Sequence, residues 1–187
     1  VGEDESHLEN NLIFVGLAGM LDPPRPEVYQ AIKKCNRAGI KVVMVTGDHR
    51  KTATAIGKEV GLLNEDDLVI TGEELEEMTD EQLVEKIDRI AIYARTSPGQ
   101  KMRIVKVLQE KGHIVAMTGD GVNDAPAIKS ADIGIAMGRN GTDTTREASS
   151  IILTDDNFAT IVNAIEEGRT VSCNIKKFIR FIMAGNI

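Results

Sequence analysis

The sequence is short of the residues from which several kinds of functional site are built. It has no tryptophan, and aromatic residues make up 3% of the 187. That leaves little material for platforms that stack nucleic-acid bases. Positive charge is also in deficit, with 22 basic against 29 acidic side chains and a net charge of −7. A general nucleic-acid binder is usually basic, so nucleic acid is not expected as a partner. The two cysteines, Cys35 and Cys173, lie far apart. They form neither a disulfide framework nor a Cys-x-x-Cys metal site, and a reducing cytosol is their natural setting. No apolar run reaches the roughly 18 residues of a complete membrane span. The N-terminus carries Glu3, Asp4 and Glu5 and has no signal-peptide core. There is no internal repeat.

What is present fits an ordinary soluble domain, 42% hydrophobic and 27% charged. The length suits one domain, or one with an appendage. Short apolar runs rich in β-branched residues read as strands: 12–17, 40–45, 68–70, 90–94, 113–117, 133–137 and 151–153. Helical patterns lie between them. One runs from Pro26 to Ala38 before Gly39, and another from Ser97 to Lys111 before Gly112. A third, Thr79 to Asp88, opens with a capping box formed by Thr79 and Gln82. This alternation predicts an α/β fold: a doubly wound, mostly parallel sheet with helices on both faces.

The C-terminal segment is different. Apolar residues recur at helical spacing from Phe158 to Ile182, with Gly168 as a weak point. From Gly168 onward there are four basic residues and no acidic ones. Two readings stand side by side: an amphipathic helix packed on the sheet, and the start of a membrane helix with its positive residues on the cytosolic side.

In a doubly wound sheet, ligands bind beyond the carboxyl ends of the strands. Two strands are followed there by polar, glycine-bearing turns. Thr46-Gly47-Asp48 follows Val45, and Thr118-Gly119-Asp120-Gly121-Val122-Asn123-Asp124 follows Met117. Glycine lets backbone come close to a phosphate, and exposed amides form anion-binding nests. A lone Thr-Gly-Asp also serves as a plain helix cap or turn. Two carboxylates, an amide and two glycines within the second run are hard to read as capping. Hard oxygen ligands beside a phosphate site suggest Mg2+. Lys101 opens the next helix and can aim a point charge at a phosphate, or simply face solvent; Arg95, just after a strand, has the same ambiguity. Asp22-Pro23-Pro24-Arg25 is stiffened by its prolines and suits either a linker or a hinge. Together these groups point to phosphoryl transfer. An aspartyl-phosphate enzyme also needs a nucleophilic aspartate at a strand end, and no Asp-Lys-Thr-Gly-Thr or Asp-x-Asp motif occurs.

Asp22-Pro-Pro-Arg25, Thr46-Gly-Asp48, Lys101, Thr118-Gly-Asp-Gly-Val-Asn-Asp-Ala-Pro126, Ile133-Gly-Ile-Ala-Met-Gly138 and Asp155-Asp-Asn-Phe158 stand in this order. In this the chain resembles the P-type cation-transporting ATPases, whose phosphorylation domain has the haloacid-dehalogenase fold. The resemblance implies that Thr46 and Lys101 hold the transferred phosphoryl group. It implies that Asp120 ligates Mg2+, supported by Asn123 and Asp124. Gly47, Asp48 and Arg95 match positions near the nucleotide phosphates of ATP. Asp22 to Arg25 matches a hinge between the nucleotide-binding and phosphorylation domains. Asn186 matches an ion-ligand position weakly.

The resemblance further implies that 1–25 is the end of a nucleotide-binding domain with its hinge. Residues 26–167 would then be the C-terminal part of a phosphorylation domain, and 168–187 a stalk and the start of a membrane helix. The partners would be the remaining nucleotide-binding, actuator and membrane domains, on the cytosolic face of a membrane. Met20-Leu-Asp-Pro-Pro-Arg-Pro26 is most similar to the calcium-pump branch, so Ca2+ is the expected ion. Val45-Thr-Gly-Asp-His49 and Ala94-Arg-Thr-Ser-Pro98 also resemble sodium–potassium pumps. The family's nucleophile lies in a motif this chain lacks, at the end of a central strand. The sheet is therefore expected to be incomplete at its first strand, and the chain alone partly unstable and inactive. A free-standing phosphatase of the same superfamily is the alternative, and a non-catalytic Mg2+- or phosphate-binding domain is a third reading.

Overall fold

The computed structural model describes residues 13–16, 18–19 and 23–185. Asp22 and Asn186 lie outside them. Among the described residues, six strands alternate with helices. In chain order these are α1 (Pro26–Arg37), β1 (Met44–Val45), α2 (Arg50–Glu59), β2 (Leu68–Thr71), α3 (Gly72–Glu77), α4 (Asp80–Lys86), β3 (Ile90–Ala94) and α5 (Pro98–Glu110). They continue as β4 (Ala116–Gly119), α6 (Ala125–Ser130), β5 (Ile133–Met137), α7 (Asp143–Ala148), β6 (Ile151–Leu153) and α8 (Phe158–Gly185). Every strand pairing is parallel.

The strands form two sheets, ordered β1-β3-β2 and β4-β5-β6. β3 is buried along its whole length, as a parallel strand covered on both faces should be. Ile70, Leu75, Leu83, Ile87 and Tyr93 form one apolar cluster, and Ile32, Ala53, Leu62 and Ile92 another. Phe158, at the start of α8, packs against the second of these and also against Ile135 and Leu153 of the other sheet. It thereby links the two halves. Among the described residues, β1 and β4 each lack a strand partner on one side and are only half-buried or more open. The incompleteness expected of the sheet thus takes the form of two three-stranded pieces with open flanks.

Local rules set most helix starts. Thr71 with Glu74, Thr79 with Gln82 and Ser97 with Gln100 are reciprocal capping boxes. β3, β5 and β6 coincide with the runs expected from sequence.

Three expected strands are corrected. Of 12–17, the described residues 13–16 form no strand, and Ile13, Phe14 and Val15 are exposed. Of 40–45, only Met44–Val45 pairs. Lys41 is turned away to the carbonyl oxygens of Ile87, at 3.2 Å, and Asp88. The 113–117 strand shifts to Ala116–Gly119 because Asp132 Oδ2 accepts the Val115 amide at 2.8 Å. His113 instead meets Asp88 at 3.0 Å.

α8 is continuous through Gly168. Lys34–Glu166 at 3.8 Å and Arg169 Nη1 to the Ala38 carbonyl at 2.9 Å hold it against α1 on either side of the glycine. Beyond that, Val171, Ile175, Phe178 and Phe181 are exposed. No helix among the described residues is long and apolar enough to cross a membrane.

Candidate functional site

Three turns converge at the carboxyl ends of β1, β3 and β4. Thr46 leaves β1 with its amide on the Tyr93 carbonyl at 2.9 Å. Its Oγ1 accepts the Asp48 amide at 3.1 Å, which shapes the Thr46-Gly47-Asp48 turn. Thr96 donates to the Thr46 carbonyl twice, from N at 3.1 Å and from Oγ1 at 3.2 Å. Arg95 N donates to the Asp48 carbonyl at 3.0 Å. These bonds stitch the β1 turn to the β3 turn. Arg95 stands at φ +52, a left-handed conformation that is uncommon outside glycine and costs energy. Its side chain, like Asp48 and His49, is exposed.

Ser97 then caps α5, and the first turn of that helix presents Lys101 toward β4. Lys101 Nζ meets Asp124 Oδ1 at 2.5 Å, with the two side chains 14% and 12% exposed. A pair this well covered is costly to break from one side, because the partner is left as a buried charge. Asp124 also accepts the Gly121 amide at 3.4 Å. Its side chain lies directly over Gly119, where a Cβ would come within 2.7 Å of the Asp124 carboxyl carbon. Gly119 is therefore required by close approach. Asp120 and Asn123 are exposed. The Asp120 carboxylate takes part in no ion pair among the described residues, and its carbonyl accepts from Thr142 N at 3.0 Å.

Thr46, Gly47, Asp48, Arg95, Lys101, Asp120, Asn123 and Asp124 thus share one end of the fold. Pro23, Pro24 and Arg25 do not. Arg25 donates from Nη1 to the Asp156 carbonyl at 3.0 Å, and Glu27 accepts from Asn157 Nδ2 at 2.9 Å. The sequence alone assigns no task to the Asp155-Asp156-Asn157 run. The structure puts Asp156 at the centre of a hydrogen-bonded turn whose other residues lie 16 to 18 positions away.

Residues 2–132 match the model of haloacid dehalogenase-like hydrolases, and residues 100–165 match a second model of the same description. The chain belongs to the haloacid dehalogenase-like hydrolases. It is 56% identical over 179 residues to a calcium-transporting ATPase of Bacillus subtilis (strain 168), covering 96% of this chain and 20% of the relative. It is 49% identical over 189 residues to the endoplasmic reticulum calcium ATPase srcA of Aspergillus fumigatus, covering 99% and 19%. The crystal structure of a zinc-transporting PIB-type ATPase superposes with a TM-score of 0.62 at 33% identity, over 83% of this chain and 21% of that one. The chain spans about a fifth of the length of the curated relatives it matches.

Proposed function

We propose that this chain is the C-terminal part of the phosphorylation domain of an ATP-driven cation pump, with Ca2+ as the transported ion. The observation that carries the reading is the Lys101–Asp124 pair, which joins the turns after β1, β3 and β4 at one end of the sheets. In this reading Thr46 and Lys101 hold the transferred phosphoryl group. Gly47, Asp48, Arg95 and Asn123 lie along the phosphates of ATP. Asp124 keeps Lys101 aimed. The calcium-transporting relatives support the choice of ion.

The donor set suits Mg2+. Asp120 offers an exposed carboxylate, and no group of three histidine, cysteine or acidic side chains competes for a metal among the described residues. Mg2+ takes one or two carboxylates and completes its shell with waters and phosphate oxygens. When bound it would neutralise charge on the phosphoryl oxygens. The chain's own contribution is to position groups and exclude competing ones, which is most of what phosphoryl transfer asks of a protein.

The nucleophilic aspartate, the strands that would cover the open flanks of β1 and β4, and the actuator and membrane domains belong to the rest of the parent protein in this reading. Residues 1–25 form the end of the nucleotide-binding domain with the hinge at Asp22–Arg25. Residues 168–187 form the stalk on the cytosolic face of the membrane, ending near Asn186. Two experiments test this. The purified 187-residue chain should form no hydroxylamine-labile acyl-phosphate with ATP, and its appearance would refute the reading. In the intact pump, Asp120→Asn should raise the Mg2+ needed for phosphoenzyme formation; an unchanged requirement would remove Asp120 from the metal.

A further inference from the structure

Arg25 and Asp120 belong to different parts of the molecule, yet a continuous series of bonds connects them through Asp156. Asp156 is 9% exposed and stands at φ +52. A non-glycine residue is held in that conformation only where its surroundings over-determine it. Here the carboxylate fills a nest of successive backbone amides. Its Oδ1 accepts from Gly138 N at 2.6 Å and Arg139 N at 3.0 Å, and its Oδ2 from Asn140 N at 2.8 Å. These amides, that of Arg139 foremost, hold the carboxyl below the usual carboxylate range.

The same turn is gripped from its other side, where Arg146 Nη2 donates to the Gly138 carbonyl at 2.7 Å. Gly141 follows and is buried. A Cβ there would collide with the Met137 carbonyl oxygen, so the chain has no slack between Asn140 and Thr142. Thr142 N then donates to the Asp120 carbonyl at 3.0 Å. At the far end, the backbone oxygen of Asp156 receives Arg25 Nη1 at 3.0 Å.

We propose that Asp156 is a positioning residue, which locks the 138–142 turn to the Arg25 segment and through Thr142 sets the place of the Asp120 turn. A displacement of the segment before α1 then reaches Asp120 without any contact between the two. That Asp120 holds Mg2+ rests on the functional reading above; the mechanical link does not.

The link is tested on the 187-residue chain by amide hydrogen exchange. Asp156→Asn keeps the side-chain shape but removes one acceptor oxygen and the charge. Arg139, Asn140 and Thr142 amides should exchange together about 10-fold faster, as charge-assisted bonds are lost, and the Gly138 amide, which also donates to the Leu153 carbonyl at 2.7 Å, should respond less. Ile92 and Ile135 amides should hold their rates. An unaltered Thr142 overturns the link, and so does equal acceleration at Ile92 and Ile135, which marks a general loss of stability. Arg25→Ala is the second variant: Thr142 should again accelerate, more weakly, and an unaltered rate there cuts Arg25 out of the series.

In the intact pump, Asp156→Asn should raise the Mg2+ concentration for half-maximal phosphoenzyme about 10-fold, the scale seen when a metal ligand loses its support. The maximal level at saturating Mg2+ should persist. A lower maximum with an unchanged Mg2+ requirement overturns the proposal. Asp120→Asn is measured alongside. If it leaves the Mg2+ requirement unaltered, the functional reading fails, while the exchange rate of Thr142 still decides the link.

Discussion

In the β1-β3-β2 half, β3 is sealed on both faces by apolar clusters, and the helices start at self-contained capping boxes. In the β4-β5-β6 half, the described apolar cluster around the sheet is smaller, built on Ile135, Leu153 and Ile161. The turns there are held by polar side chains bonded to distant backbone, above all Asp156, Arg146 and Arg25. The first half combines extensive burial, which tolerates small displacements, with bonds of the same kind, such as those of Arg103 to the Leu75 and Met78 carbonyls. The second has less burial to add and depends more on its directed bonds, which do not tolerate displacement. The turn carrying Asp120 and Asp124 belongs to the second half. A site that must place a carboxylate to a fraction of an ångström is better served by bonds of fixed geometry than by an apolar contact.

The largest expected effect tests the burial side. Ile92 is fully buried and packs closely on Gly57, so Ile92→Ala should cost about 4 kcal/mol. Ile135→Ala, in the smaller cluster, should cost about 2 kcal/mol. Urea unfolding followed by far-ultraviolet dichroism measures both, and equal losses would break the contrast between the halves.

Next comes the bond that joins them. Lys101→Met strands the Asp124 carboxylate and should cost about 3 kcal/mol. Adding Asp124→Leu should recover most of it, because no unpaired charge then remains. A double variant as unstable as the single one would show that shape, not charge, matters at this pair.

Acid tests the polar turn against β3 in a different way. The carboxyls of Asp155 and Asp156 are held below the ordinary range, Asp155 chiefly by the Thr160 hydroxyl and Asp156 by backbone amides. A depressed native pKa means stability that is present above the unfolded value, roughly 3.9 for aspartate, and lost as pH falls through the native one. The Arg139 and Asn140 amides should therefore lose exchange protection at a higher pH than those of β3. Simultaneous loss would mean that the polar turn has no separate stability.

The same division explains what could be read from sequence. β3, β5, β6 and the Thr79 box follow from local pattern: an apolar run of strand length, or two side chains three positions apart. The Thr-Gly-Asp turns were legible because glycine and acidic residues cluster after strands. The failures are all matters of partnership. Residues 13–16 have the composition of a strand but pair with none of the open strand edges among the described residues. β4 begins three residues late because the Asp132 side chain takes an amide that a sheet would otherwise use. Asp156 carries no local signal of its role, since its partners are Arg25, 131 positions away, and a turn that sequence alone does not bring near.

The smallest effect concerns a device that should matter to one half only. Thr79 accepts the Gln82 amide, and Gln82 accepts the Thr79 amide, on an exposed helix start. Thr79→Ala removes the first of these and should lower stability by about 1 kcal/mol. α4 rests on the Leu83–Ile87 side of the first apolar cluster and is bonded through Asp80 to Arg103 of α5, not to the 138–142 turn. The denaturant slope should therefore stay constant, and the exchange rates of Gly138 to Thr142 should not change beyond the small loss of global stability. A selective rise at those amides would mean that the burial-held half also sets the geometry of the bonded one, and the two could no longer be treated as separate mechanical units.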